Sequence, residues 1–196
     1  MSKKFTIILD PAHGKETPGK RSPDEKVREF QWSRDRVREL KSALESAGFE
    51  VFLTNNTDSE IGLSRRAANA NRINRPHRIM LSLHSNAASN GGWSNARGYS
   101  VYTTKGRSNS DIVAEQILKD FQKNFPELKG RFDTSDGDLD LEEDFTVIYK
   151  TAFPSVLIEW LFQDNKQDAA LLQDPAYNKR FVSSLVESLT KLDNTL

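Results

Sequence analysis

Three polar residues, His13, His84 and Glu159, lie at or near the ends of strands that the sequence predicts. Their imidazole and carboxylate groups can bind a metal or transfer protons. His13 follows an apolar run within four residues, His84 ends a second run, and Glu159 lies within the apolar residues 156–162. Ligands of open α/β sheets bind beyond the carboxyl ends of the strands, so we expect the three side chains to meet at one rim. A carboxylate in an apolar run is unfavourable to bury unless it is paired, metal-bound or protonated. Glu159 is therefore a candidate general base or acid; the alternative is a strand residue that faces solvent or a buried arginine.

His13 and His84 form a candidate pair of metal ligands. Because the chain contains no cysteine, a third protein ligand would have to be an oxygen donor. Two histidines and one glutamate with an open fourth position form a known catalytic zinc site. Glu29 is well placed at the start of a predicted helix, where a carboxylate also favours the helix dipole. Two other carboxylates compete with it on spacing, Asp24 and Glu25.

Apolar runs alternate with segments of helical period, which predicts the elements that position these residues. The predicted strands are residues 5–9, 49–53, 78–84, 98–103, 146–149 and 155–160, and the predicted helices are 30–47, 63–74, 112–125 and 175–192. Gly48 follows the first predicted helix, at a position that favours positive φ. The predicted helix 63–74 has a polar face, and the predicted strand 98–103 is a candidate edge strand. His77 has the opposite strand parity to His84 and is expected on the surface. Strands separated by helix-length segments predict one α/β domain over residues 1–196, with a mainly parallel twisted sheet and helices on both faces.

Composition narrows the class of partner. The chain has 196 residues, with 28 Lys and Arg against 28 Asp and Glu, so no basic excess favours nucleic acid or a membrane surface. Its apolar runs fall far short of the ~20 residues of a membrane helix. No apolar signal segment follows Lys3 and Lys4, because Asp10 and Pro11 interrupt the first run. We therefore expect a protein without membrane insertion or an export signal, acting on a specific substrate.

Other chemistries fit the sequence less well. The nearest approach to the Gly-x-Ser-x-Gly motif of serine hydrolases, residues 98–102, lacks the closing glycine and lies inside a predicted strand. A glycosidase using Asp10 and Glu159 would need no metal. The acidic stretch, residues 133–144 including Asp136, does not place Gly137 at the sixth position of a calcium loop. We expect it to be a solvated surface loop bordering the cleft. The alternative is that it lines one wall of the cleft and discriminates among substrates or steers cationic groups.

Four segments in order along the chain connect these residues to a family. They are LDPAHG (residues 9–14), Glu29 at the start of a long helix, SLHSNA (82–87) and PSVLIE (154–159). LSRR (63–66) leading to AN (70–71), and TVIYKT (146–151), match in the same order. Over essentially its whole length the chain resembles the zinc-dependent N-acetylmuramoyl-L-alanine amidases of the Amidase_3 type.

The resemblance implies roles for particular residues. It implies that His13, Glu29 and His84 hold one Zn²⁺ per chain and that Glu159 is the catalytic carboxylate. The bond cleaved would be the amide between N-acetylmuramic acid and L-alanine in peptidoglycan. Ligand histidines usually donate their second nitrogen to a carboxylate or carbonyl, which makes Asp10 and Asn86 candidates for holding them. No substrate-binding residue is assigned.

The resemblance has departures and leaves alternatives open. The family usually has Gly, Gly, Arg and Gly where this chain has Ala12, Lys15, Asn55 and Leu161. These departures bear on which substrate is recognised more than on the reaction. A domain that binds muropeptides without cutting them, or another zinc peptidase or amidase acting on wall peptides, remains an alternative. We expect a monomer that degrades the cell wall, as an endolysin or autolysin. It would reach the wall through a lysed membrane, or by export if a leader had been removed.

Overall fold

The computed structural model describes residues 3–135 and 137–195, so Asp136 of the acidic stretch lies outside the described residues. The strands are β1 (Thr6–Pro11), β2 (Glu50–Leu53), β3 (Arg78–Asn86), β4 (Tyr99–Thr103), β5 (Leu141–Glu142) and β6 (Ser155–Phe162). The helices are α1 (Glu29–Ser46), α2 (Leu63–Asn71), α3 (Asn109–Asn124), α4 (Thr146–Tyr149), α5 (Lys166–Leu172) and α6 (Pro175–Thr195).

These strands form one six-stranded sheet in the order β2-β1-β3-β6-β4-β5. The β2, β1, β3 and β6 strands are parallel, β4 is antiparallel to β6, and β5 runs parallel to β4. The predicted mainly parallel α/β domain is confirmed. The predicted edge position of β4 is wrong, because β5 pairs with its outer side.

Alternate strand residues bury on opposite faces of the sheet, as the pleat requires. The larger core contains Leu9, Leu81 and Ile158, and is covered by α1, α3 and α6, of which α6 contacts both α1 and α3. The smaller core on the other face contains Met80 and Leu157 and is covered by α2 and α4. Helices therefore lie on both faces, as predicted.

Residues 146–149 form the short helix α4, so the strand predicted there is wrong. The adjacent residues Val147 and Ile148 are both buried in the smaller core. Neighbouring residues of a strand point to opposite faces, whereas one helical turn can bury both against α2 and the sheet. Two further elements were not predicted: β5, and α5, whose first turn is capped by the Asn165 side chain.

Several local predictions can be compared directly with the structure. Gly48 has a φ of 93°, as expected after a helix, and His77 is exposed. The α2 helix ends at Asn71 rather than at residue 74. None of the helices in residues 3–135 and 137–195 combines the length and apolar character of a membrane span.

The acidic stretch is only partly the solvated loop that the sequence predicts. Asp140 is 1% exposed, and the Thr103 hydroxyl donates a hydrogen bond of 2.6 Å to its Oδ2. Burial raises the pKa of Asp140 to about 7. The stretch also supplies β5, which pairs with β4 and so holds this part of the stretch against the sheet.

Candidate metal centre

Parallel strands bring the four candidate residues to one rim of the sheet. His13 follows the end of β1, and His84 on β3 is in direct register with Glu159 on β6. Glu29 is the first residue of α1, which packs on β1 and β3. The convergence expected from the sequence is therefore present.

His13, Glu29 and His84 form the one group of His, Cys, Asp and Glu side chains within residues 3–135 and 137–195 that could hold a metal ion. Their ligand atoms all lie within 4.8 Å of one another. Of the competing carboxylates, Asp24 and Glu25 are exposed and stand outside this group. The structure thus selects Glu29 from three carboxylates that the sequence left open.

A single carboxylate oxygen joins the two imidazoles. Glu29 Oε1 lies 3.2 Å from His13 Nε2 and 2.9 Å from His84 Nδ1. Glu29 is 1% exposed and His84 is 7% exposed. Burial alone would raise the pKa of Glu29, but the two imidazoles hold that pKa well below its ordinary value. The cluster therefore holds an anionic carboxylate among nitrogen donors.

The cluster fits a zinc ion on its own chemistry. Among the described residues, the buried His84 Nε2 makes no hydrogen bond, and the buried His13 Nε2 lies within ion-pair distance of Glu29 Oε1 without a hydrogen bond of its own. Burial lowers the pKa of His84 despite the opposing charge of Glu29, which favours the neutral imidazole that binds metals. Two imidazole nitrogens and one carboxylate are a donor set that zinc takes in catalytic sites.

The position of His13 depends on a network at the end of β1. His13 has a φ of 50°, in the left-handed region. Arg34 on α1 donates to the carbonyl oxygens of Ala12 and His13, at 2.8 and 2.7 Å. Ser33 accepts a hydrogen bond from Ala12 N at 2.8 Å and donates one to Leu83 O at 2.6 Å. Two side chains of α1, about one helical turn after Glu29, therefore hold the turn that carries His13.

A β-bulge follows Glu159. His84 pairs with Glu159 and Asn86 pairs with Phe162, so β6 has one extra residue over this step. Leu161 lies in the bulge with a φ of 61° and is fully buried. Bulges bend a strand and re-aim its side chains. The chain thus has a leucine at a backbone position that would favour glycine.

Glu159 lies beside the metal cluster, in register with His84 on the neighbouring strand. Its Oε2 atom is buried and accepts no hydrogen bond from the described residues. Burial, together with the negative charge of Glu29, raises the pKa of Glu159 well above its ordinary value, and the charge of Lys20 opposes this shift. A carboxyl group whose pKa is raised in this way suits a general acid or base.

Asp10 does not hold a histidine, so that expectation is wrong. Its two oxygens accept hydrogen bonds from Arg66, from Ser82 Oγ at 2.5 Å and from the Thr54 hydroxyl. Asn86 accepts a hydrogen bond from the backbone of Ala87 rather than from an imidazole. The nitrogen of His84 that faces protein meets Glu29 instead.

Two side chains near the site were missed by sequence reasoning. Arg66 is fully buried although its helix was read as polar-faced, and its only signal was its place in the LSRR segment. Gln163 is 2% exposed, and its amide donates to Glu29 Oε2 at 3.3 Å. Nothing in the sequence indicated that contact, because it joins the residue after β6 to the first residue of α1, 134 residues away.

The fold and site define an α/β domain with a candidate metal centre at the carboxyl ends of its parallel strands. Residues 7–191 match the Amidase_3 family, described as N-acetylmuramoyl-L-alanine amidase, and the chain belongs to this family.

Named relatives agree with that assignment. The chain is 28% identical to N-acetylmuramoyl-L-alanine amidase AmiC of Neisseria meningitidis, over 96% of this chain and 53% of that protein. It is 26% identical to the probable cell wall amidase LytH of Staphylococcus aureus, over 94% of this chain and 57% of that protein. The chain therefore spans about half the length of the curated relatives it matches.

Solved structures show the same fold. An N-acetylmuramoyl-L-alanine amidase from Clostridium difficile 630 superposes with a TM-score of 0.86 at 21% identity, covering 99% of both chains. AmiC2 of Nostoc punctiforme superposes with a TM-score of 0.83 at 22% identity, covering 98% of both chains.

Proposed function

We propose that residues 1–196 form the catalytic domain of a zinc-dependent N-acetylmuramoyl-L-alanine amidase. The reaction is hydrolysis of the amide bond between N-acetylmuramic acid and L-alanine in peptidoglycan. The observation that supports it most is the buried Glu159 Oε2, which accepts no hydrogen bond from the described residues and lies on the strand next to His84, in a chain that has the cluster of His13, Glu29 and His84 and belongs to this family.

His13, Glu29 and His84 would hold one zinc ion. When bound in such a site, zinc lowers the pKa of water to about 7 and polarises the substrate carbonyl. The hydrogen bond from Gln163 orients the outer oxygen of Glu29, so that Oε1 stays directed at the imidazoles. Because this arrangement is already formed among buried side chains, little reorganisation is needed for binding.

Glu159 moves the proton. Its Oε2 accepts a proton from the attacking water and returns it to the nitrogen of the departing amine. The water oxygen becomes bonded to the acyl carbon and the carbon–nitrogen bond breaks, so one water is consumed for each amide. The raised pKa of Glu159 favours this exchange, because the buried carboxylate holds a proton more readily than an exposed one.

Substitutions separate the catalytic role from the metal-binding role. We expect Glu159→Ala to retain stoichiometric zinc and the fold while peptidoglycan hydrolysis is lost. His84→Ala should instead lower the zinc content, and Glu45→Ala, at an exposed site on α1, should change neither. The measurements are metal analysis, circular dichroism and mass spectrometry of digested peptidoglycan with and without a chelator. Near-normal hydrolysis by Glu159→Ala would remove Glu159 from the mechanism.

The same digest tests the other functions considered. Retention of the protein on peptidoglycan without release of peptides would indicate a wall-binding domain. Release of peptides cut at another bond would indicate a different peptidase or amidase. The monomeric state, and action on the wall as an endolysin or autolysin, stay predictions.

A further inference from the structure

Arg34 is a buried arginine on α1 that the proposed reaction does not use. It is 4% exposed, although its guanidinium stays charged at any ordinary pH. Burying a charge is unfavourable unless the group is paired and hydrogen-bonded. Its ion-pair partner Asp58 lies 3.5 Å from Nε, but the side chain of Asp58 is 54% exposed. The burial of Arg34 is therefore compensated mainly by its hydrogen bonds.

All three nitrogens of the Arg34 guanidinium donate to backbone carbonyl oxygens of other segments. Nη1 and Nη2 reach the consecutive carbonyls of Ala12 and His13, at 2.8 and 2.7 Å. Nε donates to Thr57 O, in the loop between β2 and α2, at 2.9 Å. Because a guanidinium is planar, its donors form a fixed fork. Arg34 therefore holds both segments in one geometry relative to α1.

The turn that Arg34 holds has an unfavourable backbone conformation. His13 has a φ of 50°, which residues other than glycine rarely adopt. The next residues pack on the loop that Arg34 also binds. Lys15 N donates to Asp58 O at 2.8 Å, and a Cβ at Gly14 would lie only 2.1 Å from a backbone nitrogen of that loop. Loss of the guanidinium would let the turn relax to a more common conformation, and the imidazole would move with it.

Arg34 also fixes the relative position of two candidate metal ligands. Glu29 is the first residue of α1, and Arg34 follows it by five residues on the same helix. The helix thus carries one ligand directly and holds the other, His13, through the guanidinium. Glu29 Oε1 lies 3.2 Å from His13 Nε2. Metal ligands have to be held within about 0.5 Å of their productive geometry, so this link bears directly on metal binding.

We propose that Arg34 is a positioning residue for the metal centre, which sets the zinc affinity by holding His13 in place relative to Glu29. This inference rests on the zinc site of the proposed function and adds a side chain that acts through the backbone of a ligand. A purely structural arginine would change only the stability of the fold. A positioning arginine changes the affinity and the coordination geometry of the folded protein.

Zinc affinity and cobalt spectroscopy separate these two roles. We expect Arg34→Met to weaken zinc binding about tenfold in competition with a chelator, as the loss of a group that orients a ligand implies. The visible absorption bands of the Co²⁺-loaded protein should change as well, because they report the geometry of the ligands. Arg34→Lys keeps the charge but not the fork, so it should not restore the wild-type affinity. Circular dichroism and urea unfolding with a chelator present measure the fold of each variant without metal.

A second arginine on α1 provides the matched control. Arg38 has a side chain that is 61% exposed, and its guanidinium contacts Asp35 and the same Asp58 rather than the turn of His13. Arg38→Met should therefore keep the wild-type zinc affinity and cobalt spectrum.

The possible results distinguish the positioning role from the proposed function. An unchanged zinc affinity and cobalt spectrum in Arg34→Met would overturn the positioning role while the amidase function stands. If Arg34→Met does not fold, the same result in Arg34→Lys would overturn that role. Equal weakening in Arg38→Met would assign the effect to Asp58 and overturn it as well. A wild-type protein that binds no zinc would overturn the proposed function and this inference together.

Discussion

Removal of Arg66 should destabilise the fold far more than removal of a comparable surface arginine. Arg66 Nε donates to Asp10 Oδ1 at 2.8 Å, and its Nη2 also contacts Asp10. The two side chains are 1% and 0% exposed. Arg66→Met leaves a carboxylate buried without its counter-charge, and breaking such a pair costs about 3–5 kcal/mol of unfolding free energy. The double variant Asp10→Leu with Arg66→Met should cost less than Arg66→Met alone, because no buried charge is left.

An exposed pair in the same protein provides the control. Arg75 Nε lies 2.8 Å from Glu50, and both side chains are 47% exposed. Because water screens such a pair, Arg75→Met should cost about 0–1 kcal/mol. Urea unfolding followed by circular dichroism gives both free energies, with a chelator present so that metal binding does not contribute. Equal costs for Arg66→Met and Arg75→Met would refute the reasoning.

The cost of Arg66→Met should also depend on pH. Burial would raise the pKa of Asp10, but Arg66 and the hydrogen bonds from Ser82 and Thr54 bring that pKa below its ordinary value. The stability from this lowered pKa is present above the unfolded pKa and is lost as the pH falls through the folded pKa. Without Arg66 the buried carboxyl takes up a proton at higher pH. The deficit of Arg66→Met should therefore shrink on acidification, and a deficit that grows would contradict the assignment.

Three further predictions follow from single contacts. Gln163→Leu removes the hydrogen bond to Glu29 and should weaken zinc binding about 10–100-fold, measured by competition with a chelator. An unchanged Kd for zinc would show that Gln163 does not position Glu29. The pKa of Asp140, raised to about 7, means that the folded state loses stability as the pH rises from the unfolded pKa through that value. Asp140→Asn should therefore raise the Tm at about pH 8 and change it little at about pH 4, and the reverse order would refute the cause. Gly14→Ala places a Cβ 2.1 Å from a backbone nitrogen and should lower the free energy of unfolding by about 1–3 kcal/mol. In Gly92→Ala the added Cβ meets nothing within 4 Å, so this variant is the control in the same thermal unfolding series.

Local patterns in the sequence predicted most of the elements and three residues that meet at the rim of the sheet, His13, His84 and Glu159. The alternation in residues 78–84 identified the face that carries His84, and the isolated charge in residues 156–162 identified Glu159. Gly48 marked the end of α1. These inferences succeed because strand and helix periods, and the unfavourable burial of a charge, depend on residues that are near one another in the chain.

Contacts between distant segments decided what local patterns left open. Glu29 lies 55 residues from His84 and 134 from Gln163 along the chain, and only packing of α1 on the sheet brings them together. The same packing selects Glu29 over Asp24 and Glu25, which have similar local sequence signals. Packing likewise buried Arg66 against Asp10 and folded residues 146–149 into a helix over the smaller core. These contacts join segments that are far apart in the chain. A pattern within a short stretch of sequence therefore cannot indicate which charge partner or which buried surface a residue will meet.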